Sequence, residues 1–234
     1  KARRFAARSR QFRRFPARRL PPRHHPARRA ARQALMHPNA EFRTENRALM
    51  EALVEEIGFG MVFAATPDGP RVAHTPLLWT GDGALQFHLS RGNALTRHLD
   101  GMNALAVVNG PDAYVSPRWY AKQGEVPTWN YVSVEMEGRV RRMDDDGLIG
   151  LLEALSAHNE ARLPGVAGRL YKVPAARLAQ LRTGIVGFEL EVQAWRPTFK
   201  LSQNKDADER ERVAMGLEQQ GSHAMAALMR DLVG

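Results

Sequence analysis

The sequence predicts a mainly β domain, a small closed or partly closed antiparallel barrel with peripheral helices. Three observations carry that prediction. About six or seven short segments show the apolar alternation or compact apolar runs expected of strands. Most are joined by tight turns rich in Gly, Pro and Asp, which makes neighbouring strands antiparallel. Amphipathic helical stretches are inserted between these segments and follow the last of them.

Taken in order, Thr44 is placed to cap a helix whose apolar residues Leu49, Met50, Leu53, Val54 and Ile57 share one face, with Gly58 closing it. Residues 59–65 form an apolar strand, Pro67-Asp68-Gly69-Pro70 turns the chain, and residues 71–79 return as a hairpin partner. After Gly81-Asp82-Gly83, Leu85, Phe87 and Leu89 alternate with Gln86, His88 and Ser90, so one face is core and the other polar. Asn93 is placed to cap a short helix that ends at Gly101 and buries Leu95 and Leu99. Residues 103–109 form a buried strand, broken by Gly110-Pro111-Asp112 and resumed over 113–116, and residues 117–127 form an irregular loop.

Val126-Pro127-Thr128-Trp129-Asn130-Tyr131 then hands over to a long strand. Its Val132, Val134, Met136, Gly138 and Val140 face one way and Ser133, Glu135, Glu137 and Arg139 the other. Asp144-Asp145-Asp146 starts a helix carrying Leu148, Ile149, Leu151, Leu152 and Leu155; three carboxylates there read as a cap rather than a metal site. A short helix follows Pro174, a strand runs over 185–195 with a break at Pro197, and two terminal helices end the chain, the second capped by Ser222.

Composition removes several functional classes. There is no cysteine, which excludes disulfides, thiolate catalysis, Cys-ligated zinc and iron–sulfur clusters and fits a cytoplasmic protein. No apolar run approaches the length of a membrane span, so no membrane partner is expected. His74, His88, His98 and His158 lack metal-ligand spacing, and no nucleophile elbow, P-loop or Gly-x-Gly-x-x-Gly fingerprint is present.

The net charge of +9 is unevenly placed. Residues 1–35 hold 13 of the 34 Lys and Arg and none of the 25 acidic residues, leaving 21 basic against 25 acidic side chains elsewhere, a net of −4. Residues 1–35 are predicted to be disordered alone, and we read this Arg/Ala/Pro-rich tail as extraneous to the domain, with Met36 as the natural start. The alternatives are a basic arm that binds phosphates nonspecifically, and a transit peptide, whose Arg content and lack of acid it vaguely resembles.

Two constellations carry chemistry. Arg91-Gly92-Asn93 offers a forked cation, a glycine that permits close approach and the expected helix start, with His88 and Ser90 on the same polar strand face; this reads either as an anion site or as an ordinary capped helix beside a solvated Arg. Lys200-Leu201-Ser202-Gln203-Asn204-Lys205 reads either as an extended segment pointing Lys200 and Ser202 at a ligand or as an exposed linker.

Phe87-His88, Arg91-Gly92-Asn93, residues 110–116 with Trp119-Tyr120, residues 126–131, Gly184-Ile185-Val186-Gly187-Phe188 and residues 200–204 together resemble, in order, the PaiB-type FMN-binding transcriptional regulators. The similarity starts near Phe42 and runs to the C-terminus. It implies that residues 36–234 form an FMN-binding split β-barrel with a helical C-terminal part, a homodimer with FMN at the subunit interface. It also implies a negative regulator, a repressor that binds promoter DNA. Carried over residue by residue, it implies that His88, Arg91 and Asn93, with Ser90, hold the FMN phosphate. Thr128, Trp129 and Asn130 then contact the isoalloxazine or its ribityl chain, Lys200 and Ser202 close the site, and His74 and Thr75 line the ring. Ala94 departs from the family, which has proline after Asn93. An FMN-dependent oxidoreductase, a flavin reductase or an enzyme like pyridoxamine-phosphate oxidase, is the competing reading. A bound flavin transfers hydride with little help from side chains, and no acid or base commits the site to a reaction.

Overall fold

The computed structural model describes residue 37, residues 39–164 and residues 173–233. The expectations for residues 1–35 lie outside these. One antiparallel sheet closes on itself in the order β1-β2-β3-β6-β5-β4. Its strands are β1 (Phe59–Thr66), β2 (Gly69–Trp79), β3 (Ala84–Ser90), β4 (Asn103–Val115), β5 (Thr128–Arg142) and β6 (Ile185–Lys200). Among the described residues the α-helices are α1 (Arg47–Ile57), α2 (Asp145–Glu160), α3 (Ala175–Arg182), α4 (Ala207–Gln219) and α5 (His223–Val233).

The barrel interior is filled by the inward members of each alternating strand. Val62, Leu85, Phe87, Val108, Val134, Met136, Val140, Phe188 and Leu190 are all fully buried, and the Phe87 and Phe188 rings stack at 5.6 Å. Each such side chain contributes about 1.5–3 kcal/mol by leaving water. The α1 residues Met50, Leu53 and Val54 join this core, and Leu148, Leu151 and Leu155 of α2 are buried as that helix packs on β2, β3 and β6. Closure between β1 and β4 is short, limited to Met61–Phe63 opposite Leu105–Val107. Past that seam the strands part, and Ala64, Ala65, Asn103 and Leu105 border an open groove.

The structure differs from the sequence reading at five places. Asn46, not Thr44, caps α1, its Oδ1 accepting the Leu49 N–H at 3.1 Å; Thr44 instead accepts the Asn46 N–H. Gly110-Pro111-Asp112 does not break β4, because a bulge between Asn109 and Asp112 absorbs the irregularity and keeps one strand. Ser133 is buried rather than wet, donating to Asn109 Oδ1 at 2.9 Å.

Pro197 does not end β6. β3 covers only Ile185–Glu191, so further along β6 is paired by β5 alone and the missing N–H of Pro197 falls where no ladder partner needs it. Lys200 is therefore the last residue of a strand, and residues 201–205 leave it in bends and turns with Leu201 and Ser202 buried, so the segment is neither extended throughout nor an exposed linker.

The short helix expected after Asn93 is a run of turns. Leu95 and Leu99 are buried as expected, but Ser90 O accepts both the Asn93 N–H and the Thr96 hydroxyl, and Asn93 Oδ1 accepts the Leu95 N–H at 2.9 Å. These local side-chain bonds compete with a helix in a segment too short to nucleate one cheaply.

Candidate functional site

The expected site residues fall into two groups, one at each end of β6. Ser90 pairs with Ile185, the first residue of β6, and Tyr131 pairs with Lys200, the last. The strand between them rises on the order of 50 Å, far longer than one flavin mononucleotide. The chain does not bring the two groups together.

The first group is built on β2, β3 and the turn that follows. Strand alternation sends His74 and Thr75 to opposite faces. His74 is exposed, whereas Thr75 is 2% exposed and donates its hydroxyl to the His88 carbonyl at 2.7 Å. Thr75 thus ties β2 to β3 inside the barrel. The His88 side chain lies on the outer face and is partly buried; its Nδ1 is buried with no hydrogen-bond partner. Burial pushes the imidazole below its ordinary value, favouring the neutral form.

Arg91 is exposed and anchored through its backbone N–H to Gly184 O and through Nε to Thr183 O, both at 2.8 Å. The Ser90 hydroxyl accepts the Gly92 N–H at 3.3 Å. These residues fit a phosphate through a cation, a hydroxyl, an amide and an imidazole with an unused buried nitrogen. The helix N-terminus expected there is not part of the fit.

The second group gathers where β5 begins and β6 ends. Lys200 Nζ donates to Thr128 Oγ1 at 2.5 Å. Asn130, fully buried, donates from Nδ2 to Ser202 Oγ at 2.9 Å and to Met229 Sδ of α5 at 3.3 Å. Ser202 has φ 61°, a left-handed conformation rare outside glycine, and it shares a hydrogen bond with Tyr120. Burial pushes the Tyr120 phenol up, opposed by that bond, and pushes the Lys200 ammonium down.

Together Thr128, Asn130, Lys200, Ser202, Tyr120 and Lys205 border a cavity of about 280 Å³. Trp129 points the other way. It is 53% exposed and meets the 40% exposed Tyr114 edge to face at 6.2 Å, making an aromatic surface outside the cavity.

Several residues that build this end were not singled out from the sequence. Buried Glu209 of α4 accepts the backbone N–H groups of Ala121 and Lys122 at 3.0 and 3.1 Å, fixing the loop that carries Tyr120 and Glu125. Lys205 donates to both oxygens of Glu125. Glu209 stands among charged neighbours in Asp206-Ala207-Asp208-Glu209-Arg210, where nothing local marks it as buried. Among the described residues, no cluster of three or more His, Asp or Glu could hold a metal, and no helix is long and apolar enough to cross a membrane.

A six-stranded antiparallel barrel with a seam that opens on one side and flanking helices defines a split β-barrel. The chain belongs to the family described as "Putative FMN-binding domain", which matches residues 36–194, and its cofactor is FMN. It is 29% identical over 201 residues to Protease synthase and sporulation protein PAI 2 of Bacillus subtilis, covering 81% of this chain and 94% of that protein. It is 30% identical over 121 residues to an uncharacterized protein of Saccharomyces cerevisiae, covering 45% of this chain and 72% of that one. Among solved structures, the FAD and heme binding protein of Mycobacterium smegmatis shares the fold, with a TM-score of 0.54 at 22% identity, covering 71% of this chain and 77% of that one. The PaiB-type resemblance is thereby borne out. Lys200, Ser202 and the C-terminal helices lie beyond the family match.

Proposed function

We propose that the protein is an FMN-binding negative transcriptional regulator of the PaiB type that holds each FMN between two copies of the chain. In this reading His88, Ser90, Arg91 and Asn93 of one copy hold the phosphate. Trp129 of the other, on the outer face of its strand beside Tyr114, supplies the flat surface that meets the isoalloxazine, and His74 stands at the rim. The observation that carries the two-copy arrangement is the placement of the two groups at opposite ends of β6. The exposed Trp129–Tyr114 pair supports it as a surface suited to a partner. FMN supplies hydride or electron transfer when bound, and the chain's own residues bind and orient it.

The test is the visible spectrum and the mass in solution of residues 36–234, expressed without the basic tail. Bound flavin released as FMN from a dimer supports the reading; a colourless protein that cannot be reconstituted, or a monomer that binds FMN fully, counts against it. Regulation is tested separately by a shift of promoter DNA with and without FMN.

One observation favours the second reading, an FMN-dependent oxidoreductase with no DNA-binding role. α4 and α5 are joined by three residues that include Gly221, the length of a DNA-binding helical hairpin. Their charge is wrong for it. Residues 207–233 carry five acidic against three basic side chains, and Arg230, the basic residue of α5, is held by Glu211 and Glu218. Steady oxidation of a reduced nicotinamide by the holoprotein, with no shift of DNA, favours the enzyme.

A further inference from the structure

In place of the flavin-closing role that the resemblance implies for Lys200 and Ser202, we propose that the cavity they line binds a second ligand, a small molecule bearing one carboxylate. This goes beyond the flavin reading and rests on the cavity alone. At about 280 Å³ the cavity lies at the small end of ligand pockets, which run from roughly 300 to 1,000 Å³. That suits a metabolite of a few functional groups.

The charges that face the cavity select the ligand's charge. Lys205 is neutralised by Glu125, which holds it with both carboxylate oxygens. Lys200 is partly buried and donates to the neutral Thr128 hydroxyl, and among the described residues it forms no ion pair with a carboxylate. The two lysines and one glutamate of the lining sum to a charge of +1. One carboxylate balances it. A dianionic phosphate would leave an excess negative charge beside Glu125, in surroundings where burial already penalises charge.

The neutral groups complete the recognition. Ser202 and Asn130 are joined by hydrogen bonds at the cavity wall beside Tyr120, and Ser202 holds a left-handed backbone there. Strain of this sort collects at ligand sites because the surrounding structure must over-determine it. Phe42, whose ring lies 5.8 Å from Lys200 Nζ, and Val126 offer an apolar surface for the body of the ligand.

The experiment titrates the full chain, with FMN bound and again stripped of flavin, with benzoate, its uncharged isostere benzamide, and inorganic phosphate, read by calorimetry and by tryptophan fluorescence. Benzoate is expected to bind both preparations without releasing FMN and at least about tenfold more tightly than benzamide or phosphate. Lys200→Met is expected to abolish the preference for benzoate over benzamide, and Lys200→Arg, which keeps the charge, to retain it.

The inference is overturned if benzoate does not bind, if benzamide binds as well, or if Lys200→Met keeps the preference. It is also overturned if phosphate is preferred, or if benzoate expels FMN, which would place the cavity within the flavin site. Because the flavin-free preparation is measured as well, a protein that takes up no FMN would defeat the flavin reading and leave this result interpretable.

Discussion

Asn130 and Ser202, 72 residues apart in sequence, exchange hydrogen bonds, the amide donating at 2.9 Å and accepting the hydroxyl at 3.2 Å. The pair joins the start of β5 to the segment after β6 where α5 covers both, because the same amide reaches Met229.

Replacing Asn130 with Ala should destabilise the fold by about 1–3 kcal/mol, since it strands a buried hydroxyl without its partner. Urea unfolding measures this. The double variant Asn130→Ala/Ser202→Ala should be less destabilised than the sum of the single variants, the sign expected of a shared bond.

Gly60, Gly138 and Gly216 are required by close approach rather than by conformation. A Cβ at Gly138 would collide with the Glu191 carbonyl at the β5–β6 bulge, and one at Gly216 with the Trp119 ring against α4. Gly216→Ala should cost about 1–3 kcal/mol as an overpacked contact, relieved in part by Trp119→Leu. Gly138→Ala meets the β6 backbone rather than a side chain that can move and should be worse than Gly216→Ala, read as a lower melting midpoint.

Arg91→Ala should weaken FMN binding by about 1.5–3 kcal/mol, the contribution of a charge-assisted hydrogen bond to phosphate. Because Arg91 is exposed, folding stability should move by less than about 0.5 kcal/mol. Flavin titration and urea unfolding of the same sample separate the two effects; unchanged FMN affinity would put the phosphate elsewhere.

Burial holds both His88 and His158 below the ordinary histidine value of 6.5, so the unfolded chain takes up protons more readily than the folded one. Stability should therefore fall as pH drops from about 6.5 through the lower folded values, and be level in this respect above that window. A dianionic phosphate beside His88 would favour the imidazolium, so FMN binding should raise the His88 titration midpoint followed by NMR. A midpoint that does not move on FMN binding would separate His88 from the phosphate.

The barrel was largely legible because period-two alternation and turn residues are local signals. Phe87, Val134 and Phe188 read as core and are core. The misreadings came from proline and from short polar segments. Pro111 and Pro197 sit in continuous strands because a bulge and a partnerless edge accept them, and neither condition is visible before strands are paired. The resemblance set Thr128, Trp129 and Asn130 together against the flavin, whereas strand alternation places Trp129 on the face opposite the other two. Glu209, Tyr120 and Lys205 gained their roles from contacts spanning 80 or more residues in the cases of Glu209 and Lys205, which no local pattern encodes.

The central claim, that one FMN is held by opposite ends of β6 from two copies, is tested most directly by coexpressing two differently tagged chains. One carries Arg91→Ala and the other Trp129→Ala. Each variant alone should bind FMN weakly at both sites of its dimer, and the purified mixed dimer should recover one tight site, with half the flavin content of the unaltered protein. A mixed dimer no better than either parent would contradict the account, because it would mean that both groups act on FMN from the same chain or that one of them does not touch it.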